Sequence, residues 1–225
     1  MNKKEIAKYI EHLMLKPTML KEEVLAECEK AKKLGYDSVC VYPKYVEFAR
    51  QCIDDIEAKI RLCTVVGYPA GEATQEIKAM EAVFASDAKA DEIEVVVSTS
   101  AMVAENYEYI DEEVKRVVDC CEAKVKAIIE ISDVEDGKIV KACQTCMDAG
   151  VRTIELGTIY SHRKVTPELV KMVADMIAGV CELAVVTETK SIEEMYDMIC
   201  AGATKIVTYN GEDLINDFVK NKSKK

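Results

Sequence analysis

Short apolar segments recur along the chain, each entered through a glycine that follows an amphipathic helical pattern. Leu34-Gly35-Tyr-Asp-Ser-Val, Ala149-Gly150-Val-Arg-Thr-Ile and Ala201-Gly202-Ala-Thr-Lys-Ile share one plan: helix end, glycine, strand start. A glycine there fits the left-handed position that closes many helices. The pattern predicts helices from Lys3 to about Tyr9, Lys21 to Leu34, Thr74 to Ala85, Glu108 to Ala123, Pro167 to Ala178 and Asp213 to Lys220, with another reaching Asp54. Strands fall at Ser38–Val41, Ile60–Gly67, Ala90–Val97, Lys124–Glu130, around Glu155, at Glu182–Val186 and across 201–207, with a shorter one near His12. Ser132-x-x-Glu135 and Ser191-x-x-Glu194 have the spacing of N-terminal capping boxes. Repeated helix–strand units with short turns imply a parallel sheet covered by helices. Eight such units without a break over residues 1–225 predict one closed (β/α)8 barrel domain with a short extra N-terminal helix. A doubly wound open sheet is the alternative, and no glycine-rich dinucleotide turn supports it.

Composition is consistent with this picture. The 225 residues approach the ~250 of such a barrel, and 49% hydrophobic content supplies a packed core. No apolar run nears the ~20 residues of a membrane span. Met-Asn-Lys-Lys-Glu at the start has no signal-peptide apolar region, so a cytoplasmic protein without a membrane partner is expected. A net charge of −11 argues against nucleic acid as a partner. The cations are interspersed with acids, and no basic patch stands out. The ten cysteines read as buried free thiols of a reducing compartment, since Cys40, Cys63 and Cys181 lie in apolar strand segments. Cys143-Gln-Thr-Cys146 has CxxC spacing, but it lies within a helical run and lacks a second Cys/His pair, which weakens a redox or zinc role.

One stretch carries most of the candidate chemistry, Val151 to Glu168. A strand holding Thr153 and Glu155 on one face runs into a loop that ends at Thr166-Pro167-Glu168, a helix start with a hydroxyl cap, a first-turn proline and an acid at the positive end. Glu155 therefore lies near the C-terminal end of a barrel strand, where parallel α/β folds place their chemistry. The stretch resembles the Schiff-base segment of the deoxyribose-phosphate aldolase family, A-G-A-x-x-I-K-T-S-T-G followed by T-P-E. Ala149, Gly150, Ile154, Thr158, Thr166, Pro167 and Glu168 match without a gap. Ile10-Glu11-His12-Leu13-Met14-Leu15-Lys16-Pro17 is similar to the family's I-D-H-T-L-L-K-P, and Val39-Cys40-Val41-Tyr42-Pro43 to V-C-V-N-P. Thr64-Val-Val-Gly67-Tyr-Pro69-Ala-Gly71 matches T-V-V-G-F-P-x-G, and Ala90-Asp91-Glu92-Ile93-Glu94 matches A-D-E-I-D. The resemblance spans about residues 5 to 215. It implies the barrel fold and a lyase acting on 2-deoxyribose 5-phosphate through an imine.

The same alignment places Glu155 at the imine lysine, Ala184 at the lysine that activates it, and Glu94 at the proton-shuttle aspartate. Of the central lysines the resemblance leaves only Lys126. Thr187-Glu188-Thr189-Lys190 and Val207-Thr208-Tyr209-Asn210-Gly211 replace the glycine-rich phosphate cradle. A carboxylate such as Glu188 at ~4 Å from a phosphate is repelled by several kcal/mol at an effective dielectric of ~20. A carboxylate at 155 cannot form an imine. Three functions stay open. The first is an aldolase with a relocated lysine, Lys126. The second is a non-catalytic paralogue that binds a sugar-like small molecule or pairs with another subunit, a homo-oligomer included. The third is a metal-dependent enzyme on an unphosphorylated polyol or carbonyl compound, using Glu94, Glu130 and Glu155. These three acids share inward parity, with Glu188 and His12 expected near them, and Lys126 is expected to pair with one of them. The residues imply no organic cofactor and assign no metal ligand set outright. His12 alone suits a structural role, and His162 a solvated loop.

Overall fold

The computed structural model describes residues 1–222. The terminal Lys224 and Lys225, expected to fray, lie outside the described residues. After a short helix α1 (Lys3–Ala7), strands and helices alternate as β1 (Ile10–Met14), α2 (Lys21–Leu34), β2 (Ser38–Val41), α3 (Val46–Asp55), β3 (Arg61–Val66), α4 (Gln75–Asp87) and β4 (Glu92–Val96). Two helices follow β4, α5 (Thr99–Val103) and α6 (Tyr107–Cys120). The chain continues with β5 (Lys124–Ile129), α7 (Asp136–Asp148), β6 (Thr153–Leu156), α8 (Pro167–Ile177), β7 (Glu182–Val186), α9 (Ile192–Ala201), β8 (Lys205–Thr208) and α10 (Gly211–Lys222). The strands form a closed parallel barrel in chain order, with β8 pairing back onto β1 through Ile10↔Ile206. The open-sheet alternative is thereby set aside.

Local chemistry explains most boundaries. Gly35 takes φ +80° at the end of α2 and Gly150 φ +107° after α7, so both helix ends use the backbone freedom of glycine. Thr166 Oγ1 accepts from Leu169 N at 3.3 Å, and Pro167 opens α8 where a missing N–H is harmless. Ser191 caps α9 through Glu194 N at 3.4 Å. The capping box expected at Ser132 does not form, because Glu135 is the residue that precedes α7. The Ser132 hydroxyl instead donates to Glu130 and accepts from His162 N.

The outward faces of the strands pack against the helices in one continuous apolar layer that includes Val39, Leu62, Ile93, Ile129, Ile154 and Ile206. The inward faces fill the barrel axis with Leu13, Val65, Val96, Ile128, Ala184 and Val207. All ten cysteines are free. Cys143 and Cys146 are buried in α7, and burial pushes the Cys143 thiol up to about 12, away from redox reactivity. Lys78 and Glu113 form a fully buried ion pair between α4 and α6 at 2.6 Å, and Lys78 Nζ also donates to Val96 O at 2.8 Å. This pair anchors both helices to the end of β4. Among the described residues, no helix is long and apolar enough to cross a membrane.

Candidate active site

Alternation along β5 turns Lys126 to the barrel axis, where it is 1% exposed. Its ammonium donates to both oxygens of Glu11 at 2.8 and 2.9 Å, to Glu94 Oε1 at 2.8 Å and to Glu155 Oε2 at 3.2 Å. Strand register explains the meeting: Glu94 lies opposite Lys126 across β4–β5, and Glu155 lies opposite Ile128 and Ala184 on the flanking strands. Ser38 Oγ donates to Glu11 at 2.8 Å and Cys40 Sγ to Glu94 at 3.2 Å. Beneath this layer Glu92 accepts from Arg61 and Thr153, each at 3.2 Å.

Burial would drive the Lys126 amine toward its neutral form, but the surrounding Glu11, Glu94 and Glu155 carboxylates hold it well above the usual lysine range. Burial also acts against ionised Glu11, yet its paired contacts to Lys126 bring it down to about 2. Glu94 moves the other way: burial first, then repulsion from Glu11 and Glu155, raises it well above an ordinary carboxyl. Burial raises Glu155 to about 7, and Lys126 offsets only part of that cost. One ammonium cannot neutralise three carboxylates in a dry interior, so protons make up the difference at neutral pH.

The other expected site residues have different surroundings. Glu130 is the residue after β5, and it takes no part in the Lys126 cluster. Its oxygens accept from the backbone of Ile131 and Ser132 and from the hydroxyls of Thr158 at 2.7 Å and Ser161 at 2.7 and 2.8 Å. The Glu94, Glu130 and Glu155 oxygens therefore do not converge as the metal alternative requires. Glu11, Cys63, Glu92 and Glu94 do place donor atoms within 4.8 Å of one another, but the Lys126 ammonium already bonds Glu11 and Glu94. His12 points outward, not to the acids: its Nε2 lies 2.8 Å from Glu27, and its ring stacks on Tyr36 at 5.4 Å. Ala184 lies in the barrel core, fully buried. Glu188 is exposed in the loop after β7, where its backbone oxygen accepts from Asn210. His162 lies in an exposed loop, 3.3 Å from Asp133.

Two features were not anticipated. Glu11, which replaces an aspartate of the family pattern, bonds Lys126 through both of its oxygens, at 2.8 and 2.9 Å, and the uniformly buried β1 carried no alternation to single it out. Tyrosines also cluster at the C-terminal end of the barrel. Tyr68 meets Tyr42 and Tyr160 edge-on at 6.5 and 5.9 Å, and Tyr42, Tyr68 and Tyr209 pack on the apolar layer of the axis. Burial and the neighbouring Tyr160 hydroxyl push the Tyr42 phenol up to about 12. At the same end a cavity of about 350 Å³ opens between the loops after β6 and β7, lined by Thr158, Ser161, Arg163, Lys164, Thr187, Glu188, Thr189 and Glu194. Its lining does not include Glu94, Lys126 or Glu155.

The chain is 32% identical over 221 residues to the deoxyribose-phosphate aldolase of Caldicellulosiruptor saccharolyticus, covering 96% of this chain and 100% of that one. Among solved structures it superposes on QR15, an aldolase, with a TM-score of 0.89 and 30% identity over 97% of this chain and 98% of that one. The deoxyribose phosphate aldolase of Aeropyrum pernix, described as a unique tetrameric structure, shares the fold with a TM-score of 0.88 at 23% identity, covering 98% and 93% of the two chains. No protein-family model matches the chain.

Proposed function

This chain belongs to the deoxyribose-phosphate aldolase family, and we propose that it no longer performs the imine-based cleavage of 2-deoxyribose 5-phosphate that family resemblance implies. The observation that carries this proposal is the state of Lys126, buried on the barrel axis and bonded to three carboxylates at 2.8–3.2 Å. Imine formation needs a lone pair on the amine nitrogen, and at an unshifted pKa of ~10.4 fewer than ~1 in 1000 lysines are neutral at pH 7. The acids around Lys126 lower that fraction further. Glu155 stands where the imine lysine is expected and offers no nitrogen. The tyrosines of the barrel mouth pack on the apolar axis, and the cavity beside Glu188 is lined by none of Glu94, Lys126 and Glu155.

The purified protein is therefore expected to turn over deoxyribose 5-phosphate at less than about one hundredth of the ~10 per second typical of enzymes. Borohydride with acetaldehyde should leave its mass unchanged. A reductive adduct on Lys126, or turnover near the ordinary range, would sink the proposal.

The hydroxyl-rich cavity supports binding of a neutral sugar as the remaining role. Its volume of about 350 Å³ lies at the lower end of small-ligand sites. Glu188 and Glu194 line it against Lys164 and an Arg163 that already pairs with Asp136. Isothermal titration should show 2-deoxyribose binding at least as tightly as its 5-phosphate. A tenfold preference for the phosphorylated sugar would refute this role.

A further inference from the structure

A second cavity, of about 650 Å³, opens at the opposite end of the barrel, between the N-terminal ends of β5, β6 and β7. In this fold that face serves stability and not catalysis, so a large opening there is unexpected. Its floor is polar and bonded: Arg61 and Thr153 each donate to Glu92 at 3.2 Å, between the cavity and the Lys126 cluster. Its outer wall is apolar, with Val118, Val125, Val180 and Cys181. Val180 is 63% exposed beside Gly179, an apolar side chain left in water at the cavity rim.

The charges around this wall are uncommitted. Lys124 and Arg152 line the cavity, are exposed, and form no ion pair with an acid among the described residues. Arg152 bonds only the backbone oxygen of Val151, at 3.0 Å. Glu182 also lines the cavity without an ion-pair partner among the described residues. In a chain of net charge −11, two free cations beside an apolar wall mark a place where an anion is accepted and a hydrocarbon body is covered. The volume lies within the range of small-molecule sites. We infer that this cavity binds a small organic anion with an apolar body, its acidic group held between Lys124 and Arg152 and its body laid over Val118, Val125 and Val180. Arginine supplies a forked donor for an oxyanion and lysine a point charge. Glu182 disfavours a second negative group at the other side of the opening.

The test is fluorescence titration of the native protein with 8-anilinonaphthalene-1-sulfonate, an apolar aromatic anion. Saturable binding of one dye per chain is expected. Lys124→Glu and Arg152→Glu should each weaken it by about tenfold, the effect of ~1.4 kcal/mol, and the double variant should abolish saturation. Glu182→Gln should tighten binding by removing a repelling charge. N-phenyl-1-naphthylamine, the neutral analogue, should bind at least about tenfold more weakly. All four side chains are at the surface, so unchanged circular dichroism will show that the variants fold. The inference is overturned if the dye does not saturate, if the double variant binds it as the parent does, or if Phe84→Ser on the exposed face of α4 removes the signal instead.

Discussion

Lys126→Met is expected to destabilise the fold by about 3–5 kcal/mol at pH 8, the usual cost of removing one partner of a buried ion pair, and by much less at pH 5. In the parent, Glu155 is raised from 4.5 to about 7, so the stability it contributes is complete below about 4.5 and is lost as pH rises through 7. Glu94, also raised by burial and by repulsion from Glu11, acts in the same direction. Glu11 acts in the opposite direction: held down at about 2, it contributes stability above 4.5 that disappears as pH falls toward 2. Lys126 keeps its contribution below its unfolded value and loses it only in strong base. Removing the ammonium takes away what keeps Glu11 ionised, and all three carboxyls then favour protonation. At pH 5 the variant can hold them neutral, whereas at pH 8 it must bury charge without a counterion. Urea unfolding at the two pH values reads the difference. Equal midpoints for variant and parent at pH 8, or a deficit that does not change with pH, would contradict the geometry. Glu155→Gln provides the complement, since it should flatten the decline in parent stability between pH 5 and 8.

The barrel was legible because each helix–strand unit repeats the same signals, an amphipathic helix, a glycine and a short apolar run, and closure follows from eight of them. The ion cluster was legible only in part. Lys126, Glu94 and Glu155 lie on strands whose register sets them side by side, so inward parity was enough to find them. β1 gave no such guide: all five of its residues are buried, with polar Glu11 and His12 adjacent, so alternation could not say which faced the axis. The histidine drew attention as a ligand type, and the glutamate proved to be the partner. Glu130 has the right parity but lies one residue beyond the end of β5, where Thr158 and Ser161 from a distant loop capture it. The tyrosines belong to strand ends and loops, and no periodicity predicts where a loop side chain turns. The helix α5 is too short to show a helical period, and it falls in the connection between β4 and the long helix α6.

Glu155→Lys alone is expected to restore neither imine trapping nor cleavage, while raising stability at pH 8. The new ammonium would replace a carboxyl that ionises only at a cost and would share Glu11 and Glu94 with Lys126, giving two cations for two anions in the same layer. Balanced charge stabilises the buried layer but keeps the new amine protonated, and a protonated amine does not attack an aldehyde. Lys126 nearby repels it, an effect that would lower its pKa, but the two carboxylates in contact outweigh one ammonium already paired. Adding Ala184→Lys changes the balance. Residues 155 and 184 are register partners on β6 and β7, so the second new amine would stand beside the first and leave three cations for two anions. The excess charge is relieved by one amine giving up its proton, which frees a nucleophile. Borohydride with acetaldehyde should then add one ethyl group to the double variant and none to Glu155→Lys. Deoxyribose 5-phosphate should still be cleaved poorly, because Glu188 repels its phosphate. Strong trapping in Glu155→Lys by itself would mean that Glu11 and Glu94 do not hold the amine charged, and the account of Lys126 would fail with it.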